Sequence, residues 1–467
     1  MNQFQERIAS LQQVESPTIL VVGDIMLDRY SWGTVERISP EAPIPVLRVQ
    51  KDESRLGGAG NVIMNLAALG TRVIPCGVVG QDSAGLEVLS ILKQHQIDSG
   101  HVVVIPGYPT IVKHRMIAGH NHLLRMDYDP EPQKLVFAYP AIQTSIQHMI
   151  PQVQGVVISD YGKGLLSAEL ISSIIDLAKK HEIPVIVDPR AGADYKTYHG
   201  ATLIKPNRKE TELAVGFPLK NAHDVLKAAR ILKKESALAY VLISLDKDGL
   251  FLFEDDQHYE TLETEAQEVF DVVGAGDMTV SVMAFMLSGK ASVHHAAFWA
   301  NLAAGMEIMH VGVVSFTKEE LLHRMEYGQS SVKIVSLPQL LKDLANQSRP
   351  LVFTNGYFDN ISSGHLKFLQ QLKQFKGFSI VAINSDFSIK SQKGESPLLN
   401  EHERAELLAS LESVDRVIIF NENDVADLLR KIKPDILVKG ARFQTMPIYE
   451  QKTIDEIGIQ IRFLPEY

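Results

Sequence analysis

One cysteine, Cys76, is all the chain carries in 467 residues, and it sits inside the apolar run "VIPCGVVG". A single thiol excludes an intramolecular disulfide and any cysteine-built metal site. Cys76 reads as a core thiol. Cations are also in the minority: 46 Lys and Arg against 56 Asp and Glu give a net charge of −10, with no long basic run. A sequence-independent grip on nucleic acid needs clustered cations, so nucleic acid is not an expected partner. No apolar run reaches the roughly 18 residues of a membrane span. The opening "MNQFQERIASLQQVE" lacks the apolar core of a secretory signal. No membrane partner is expected, and a cytoplasmic location is. Hydrophobic residues at 45% and charged residues at 22% exclude a mainly disordered chain. The length allows two or three domains. A mildly acidic chain can still bind anionic substrates through a few local cations.

What is present is an alternation. From about residue 17 to 316, short Val/Ile-rich runs alternate with amphipathic stretches such as 167–181 and 221–235. "TILVVGD", "GVVISD", "PVIVDP", "ATLIKPN" and "YVLISLD" each end in Asp, Asn, Gly or Pro. Continuous apolar strands of this kind are buried on both faces, as in a parallel sheet covered by helices. The rhythm is βαβ, with polar residues at the carboxyl ends of strands, where open α/β sheets bind ligands. Two segments differ. "APIPVLRVQKDE" (42–53) and "HNHLLRMDYDPE" (120–131) alternate apolar and polar positions and read as a small half-exposed sheet, usable as a lid. Exposed lid strands could pair between subunits, so a homodimer is one expected assembly. Residues 317–349 turn helical and polar and read as a connector. At Pro350 a second doubly wound pattern begins with "LVFTNG", "FSIVAIN", "DRVIIF" and "DILVKG".

The most informative stretch is "DVVGAGDMTVSVMAFML" (271–287). Gly274, Ala275 and Gly276 precede an apolar helix, so backbone N–H groups at its start can face an anion. Asp277, in the first turn, can take a proton from a substrate hydroxyl while those N–H groups hold a transferring phosphoryl. Helix capping is the plainer use for Asp277. "LGGAGNVIMNLAALG" (56–70) is a second Gly-rich turn opening a helix. "GDIMLD" (23–28) places Asp24 and Asp28 just past the first strand, where carboxylates could hold sugar hydroxyls. "KPNRKE" (205–210) places Asn207 and Glu210 three apart, which suits Mg²⁺ held through water or, equally, a capping box. "SLDKDG" (244–249) is a strand-end turn that could line a nucleotide site.

These motifs, in this order, resemble the ribokinase-type carbohydrate kinases. The resemblance implies a doubly wound α/β domain with a small β lid that transfers the γ-phosphoryl of ATP, with Mg²⁺, to a sugar hydroxyl. It implies Asp277 as catalytic base and Gly274, Ala275 and Gly276 as the anion hole. Asn207 and Glu210 become the Mg²⁺-side pair; Arg208, Lys209, Ser244, Asp246 and Gly249 join them on the ATP side. Gly57, Gly58 and Asn61 fall in the sugar-side turn with Asp24 and Asp28. The family usually has Thr before GAGD; here it is Val273, a change expected to tune activity. "GDIMLDRYSWGTVERISPEAPIPVLRV" is similar to the kinase half of the bifunctional heptose enzymes of lipopolysaccharide-core and ADP-heptose synthesis. That implies phosphorylation of D-glycero-β-D-manno-heptose 7-phosphate at its 1-hydroxyl, giving the 1,7-bisphosphate. Lys113, Arg115 and Arg125 are then candidates for holding the sugar's own phosphate. A kinase for another sugar remains an alternative.

The second pattern resembles the small Rossmann-like nucleotidylyltransferases fused to those kinases, which transfer AMP from ATP to heptose 1-phosphate. The matching residues are Thr354, Asn355, Gly356, Phe358 and Asp359; Asn384 and Asp386; Lys393; Arg404; and Lys439 and Gly440. The family's His-x-Gly-His keeps Gly364 and His365, but Ser362 replaces its first imidazole. Losing one transition-state donor costs on the order of 10²–10³ in rate. The family's hydroxyl-rich motif after the last strand is also missing, and the chain ends at "GIQIRFLPEY". The expected layout is therefore a sugar kinase domain over 1–316, a helical connector over 317–349 and a nucleotidylyltransferase-like domain over 350–467, shortened relative to the family. Its adenylyl transfer is expected to be impaired, with a fully bifunctional enzyme as the alternative.

Overall fold

The computed structural model describes residues 3–118, 121–264, 273–309, 312–327, 333–345, 347–422, 424–446 and 448–465. The chain folds into two compact units, Met1–Leu322 and His323–Tyr467.

The strands of the first unit are β1 (Thr18–Gly23), β2 (Ile25–Ile38), β3 (Pro45–Gly58), β4 (Arg72–Gly80), β5 (Val102–Ile105), β6 (Ile111–Ala118), β7 (Asn121–Tyr128), β8 (Gly155–Ser159), β9 (Val185–Asp188), β10 (Leu203–Ile204), β11 (Tyr240–Ser244), β12 (Leu250–Phe253) and β13 (Tyr259–Leu262). Nine of them form one sheet in the order β13-β12-β11-β10-β9-β8-β1-β4-β5. It is parallel from β11 to β5, with β12 and β13 added antiparallel at one edge. All five expected Val/Ile-rich runs lie in it.

Both faces are covered, which is why these runs are apolar throughout. Leu20 and Val22 of β1 join a core with Ile142, Ile146, Ile174 and Leu232; the alternate residues Ile19 and Val21 are fully buried too, on the opposite face. Helix Ala168–Lys180 shows the local logic. The Ser167 side chain accepts the N–H of Leu170, and Leu170, Ile171, Ile174, Ile175 and Ala178 form its buried stripe. Helix Ala275–Ser288 is buried almost all round and packs on helices Ala59–Ala68 and Val293–Glu307 and on β8 and β9.

The small sheet exists and is larger than expected: four strands in the order β3-β2-β6-β7. The expected segments supply β3 and β7. "GDIMLD", expected to place its aspartates just past the first strand, runs from the last residue of β1 through Asp24 into the start of β2. A single residue, Asp24, separates β1 from β2, so the chain passes from the large sheet into the small one almost without a break. Along β2 the side chains change from buried to exposed, so no single period marks the strand.

In the second unit β14 (Leu351–Gly356), β15 (Phe378–Asn384), β16 (Arg416–Phe420), β17 (Ile436–Gly440) and β18 (Gln460–Leu464) form a parallel sheet in the order β16-β15-β14-β17-β18. The order reverses at β14 and β17, the switch point where such sheets open a crevice. Ile334 makes an isolated parallel bridge to Val417, and Leu340 of helix Leu337–Ala345 is fully buried against Phe353 and Ile418. This part of the 317–349 segment therefore packs into the second unit. Among the described residues no helix is long and apolar enough to cross a membrane.

Candidate active sites

In the first unit the carboxyl ends of β1, β8 and β9 meet the start of helix Ala275–Ser288. Asp277 sits there, nearly enclosed. Its Oδ2 accepts the Asn61 amide at 2.7 Å, and its Oδ1 accepts the Tyr161 hydroxyl at 2.7 Å. Burial first, and then the nearby Asp188, raise its pKa to about 6, while Asn61, Tyr161 and Lys205 oppose the rise. A carboxylate so placed is charged near neutral pH yet proton-hungry, as a general base requires. Gly274 precedes the helix at φ 96°, in the left-handed region, and a side chain there would collide with Glu307. The chain thus turns tightly enough to leave the first-turn N–H groups facing outward.

The sugar-side residues come together. Asp24 accepts the backbone N–H groups of Tyr161 and Lys163, each at 3.1 Å, and burial raises its pKa to about 6. Asp28 lies on β2, paired with Arg115 at 2.6 Å. Gly57 stands against it on β3, where any side chain would strike the Asp28 carboxylate. Gly58 begins helix Ala59–Ala68, which carries Asn61 to Asp277. Asn61 is therefore joined directly to Asp277. Lys113 neighbours Asp28 across the lid, and burial lowers its pKa. Arg125 is mostly exposed and folds back onto Asp127 at 2.8 Å.

On the nucleotide side, Asn207 and Glu210 form the capping box: the Asn207 side chain accepts the Glu210 N–H at 2.9 Å, and Glu210 Oε2 accepts the Asn207 N–H at 2.8 Å. Asn207 bridges Ser244, so the two expected stretches adjoin. Arg208, expected at ATP, ties the adjoining turns together. It bonds Asp246 and Asp248 and the carbonyls of Leu219 and Leu245. Asp246 is thereby held on Arg208, Lys209 is exposed, and Gly249 closes the turn with φ 87°.

Three residues of this site were not singled out in the sequence: Tyr161, Asp188 and Lys205. Lys205 is buried beside Asp188 at 3.1 Å. Burial alone would lower its pKa, but Asp188, Glu210 and Asp277 together hold it raised. The available signal was position, since each lies at or just past the carboxyl end of a buried strand.

In the second unit the expected residues flank the β14/β17 switch point. Lys439 donates to Asn355 Oδ1 at 3.1 Å and pairs with buried Glu450 at 3.3 Å. The Thr354 hydroxyl ties β14 to the Val438 carbonyl. Phe358, at φ 48°, meets the His365 ring edge-on at 5.7 Å. Asp359 accepts the Leu398 N–H at 2.8 Å, and Lys393 lies 3.8 Å from it and over the Tyr357 ring. Ser362 caps helix Ser363–Gln370, which contains Gly364 and His365. Asn384 bonds Ser388. Gly440 ends β17.

Arg404 lies beneath the surface. It is fully buried and bonds the carbonyls of Leu399, Tyr357 and Asn384 and the Asp386 carboxylate. It ties three stretches of chain together through these four bonds.

A ribokinase-like kinase unit and a separate nucleotidylyltransferase-like unit are what these folds and sites define. The profile of the pfkB family carbohydrate kinases matches residues 16–320, and that of cytidylyltransferase-like domains matches residues 353–464. The bifunctional protein HldE of Wolinella succinogenes is 39% identical over 455 residues, 96% of this chain and 95% of that protein. HldE of Helicobacter hepaticus is 40% identical over 453 residues, 95% of this chain and 93% of that protein. Among solved structures, Arabidopsis thaliana ribokinase complexed with ribose and ATP matches with TM-score 0.56 at 16% identity, over 67% of this chain and all of that one. Escherichia coli phosphofructokinase-2 with substrates and products matches with TM-score 0.55 at 20% identity, over 67% and 99%. At these identities the structural likeness is one of fold. The chain belongs to the pfkB family of carbohydrate kinases and, along nearly its whole length, to the bifunctional HldE proteins.

Proposed function

We propose that the first unit transfers the γ-phosphoryl group of ATP to the 1-hydroxyl of D-glycero-β-D-manno-heptose 7-phosphate, giving the 1,7-bisphosphate on the way to ADP-heptose. The observation that carries this is Asp277: a buried carboxylate at a glycine-led helix start, hydrogen-bonded to Tyr161, whose backbone N–H reaches Asp24 and whose ring carries Lys113. Asp24 and Asp28 orient the sugar through its hydroxyls. Lys113 and Arg115 hold its 7-phosphate. Asp277 accepts the proton of the 1-hydroxyl as the oxygen attacks phosphorus, and the first-turn N–H groups stabilise the charge on the transferring group.

Mg²⁺ fits the nucleotide side. Lys205 pairs with Asp188 at 3.1 Å and also feels the charge of Glu210 and Asp277, so negative charge is in excess, and Glu210 Oε1 lies outside the capping box. Asn207 and Glu210 would hold the ion through water, and it would screen the charge of the nucleotide phosphates.

For the second unit we favour retained adenylyl transfer to heptose 1-phosphate over the expected impairment. Two observations support this. Ser362 holds His365 rather than leaving its place empty. The proposed shortening weighs little beside relatives of which the chain spans 93–95% and whose printed name is bifunctional.

The test is a coupled assay. Purified protein given heptose 7-phosphate and Mg²⁺·ATP should release ADP and stop at the bisphosphate. Adding a phosphatase specific for the 7-phosphate should then yield ADP-heptose and pyrophosphate. Absence of ADP release with heptose 7-phosphate overturns the kinase reading. A stop at heptose 1-phosphate after phosphatase overturns the transferase reading.

A further inference from the structure

Tyr161 touches three parts of the first site at once. Its hydroxyl donates to Asp277 Oδ1 at 2.7 Å. Its backbone N–H donates to Asp24 at 3.1 Å. Its ring carries the Lys113 ammonium 5.3 Å from the centroid. Lys113 stands on β6 beside Asp28, whose carboxylate is already taken by Arg115. One aromatic side chain therefore lies between the proposed phosphate cation and the base.

We propose that Tyr161 is a positioning residue that couples recognition of the sugar's own phosphate at Lys113 to the readiness of Asp277 to accept a proton. The inference rests on the reading of the first unit as a kinase for a phosphorylated sugar. A cation over a phenol ring draws electron density from it and strengthens the O–H as a donor. With no phosphate present, Lys113 acts on the ring and Tyr161 grips the Asp277 carboxylate. A phosphate that neutralises Lys113 relaxes that grip, and Oδ1 is freed for the sugar hydroxyl. Binding energy from a remote group is thereby spent at the reacting centre. The other groups facing Asp277 are Asn61, Asp188 and Lys205, and none lies on the lid. Those facing Lys113 are Asp28, Arg115, Asp127 and Lys163; Asp28 is already paired with Arg115, and Lys163 is paired with Asp129 at 2.6 Å.

The experiment compares the full-length protein with Tyr161→Phe, using heptose 7-phosphate and unphosphorylated heptose across a pH series. The wild type should favour the phosphorylated sugar in kcat as well as in KM. In Tyr161→Phe the kcat preference should fall about tenfold and the acid limb of kcat/KM should move up by about one pH unit, because a donor to the carboxylate is gone. KM for the phosphorylated sugar should stay within about twofold. Lys113→Met provides a second arm that leaves the Tyr161–Asp277 bond intact: it should lose the kcat preference and also raise KM. If Tyr161→Phe keeps both the acid limb and the kcat preference, the coupling is overturned while the kinase reading stands. If the wild type phosphorylates heptose better than heptose 7-phosphate, both are overturned.

Discussion

Nδ1 of His365 accepts the backbone N–H of Ser362 at 3.2 Å and lies 3.0 Å from the Ser362 hydroxyl. An N–H can only donate, so Nδ1 is the acceptor and the neutral ring carries its proton on Nε2. The backbone N–H of residue 362 thus sets the tautomer of the remaining imidazole, and the Ser362 hydroxyl adds a second contact to the ring. Ser362→Ala should lower adenylyl transfer about tenfold and destabilise the second unit by about 1 kcal/mol through the weakened cap. Ser362→His should bring no gain. Pyrophosphate release and thermal unfolding check both.

Asp277→Asn should cost at least about 10³ in kcat with a much smaller change in KM. It should also stabilise the protein. Burial raises the Asp277 pKa to about 6, so its charged form costs folding energy at neutral pH, on the order of 1–3 kcal/mol. ADP-release kinetics beside calorimetry should show lost activity with a raised Tm.

The same shift fixes the pH dependence. Below about pH 6 Asp277 is protonated and cannot accept the sugar's proton, so kcat/KM should fall about tenfold per unit there. For stability the sign is opposite. Asp277 and Asp24 both have raised pKa values, so the folded state binds more protons than the unfolded state between about pH 4 and 6. Their contribution is full below the unfolded value and is lost as pH rises through about 6. Unfolding of wild type and the Asp24→Asn, Asp277→Asn double variant at pH 5 and pH 7.5 should show the wild type losing more stability across that interval.

The lid cations should separate. Arg115→Met should raise KM for the sugar phosphate about tenfold or more, since it removes a charged donor and strands Asp28. Arg125→Ala should stay within about twofold, because Arg125 is exposed and turned to Asp127. Initial rates over a sugar-phosphate titration decide it.

Arg404→Met should destabilise the second unit by about 3–5 kcal/mol, because it leaves the Asp386 carboxylate and three carbonyls without their donor. Kinase turnover should be unchanged while adenylyl transfer is lost with the fold. A two-phase melt, with only one phase moved, is the expected record.

The strands β1, β8, β9, β10 and β11 were legible because a parallel strand covered on both faces must be apolar along its whole length. The proposed base, Asp277, was legible as a candidate, since glycines before an apolar helix and an aspartate in its first turn form a local pattern. The surroundings of Arg208 and Arg404 were not legible, for a common reason. An arginine near a helix start looks the same whether it faces a phosphate or a ring of carbonyls, and only its neighbours in space distinguish the two. The strand β2 escaped notice because burial changes along its length.

By itself the sequence determined the class of chain, the two α/β patterns and the residue types able to transfer a phosphoryl group. Those depend on periodicity and on spacing within one turn, which are short-range properties. Only the tertiary structure decided which charges remain free. Asn61 and Asp277 are 216 positions apart, yet their contact orients the Asp277 carboxylate; Tyr161 lies between Lys113 and Asp277 because β6, the turn after β8 and a helix start converge. Whether a carboxylate is paired, buried or open depends on what surrounds it in three dimensions, and that environment sets its pKa.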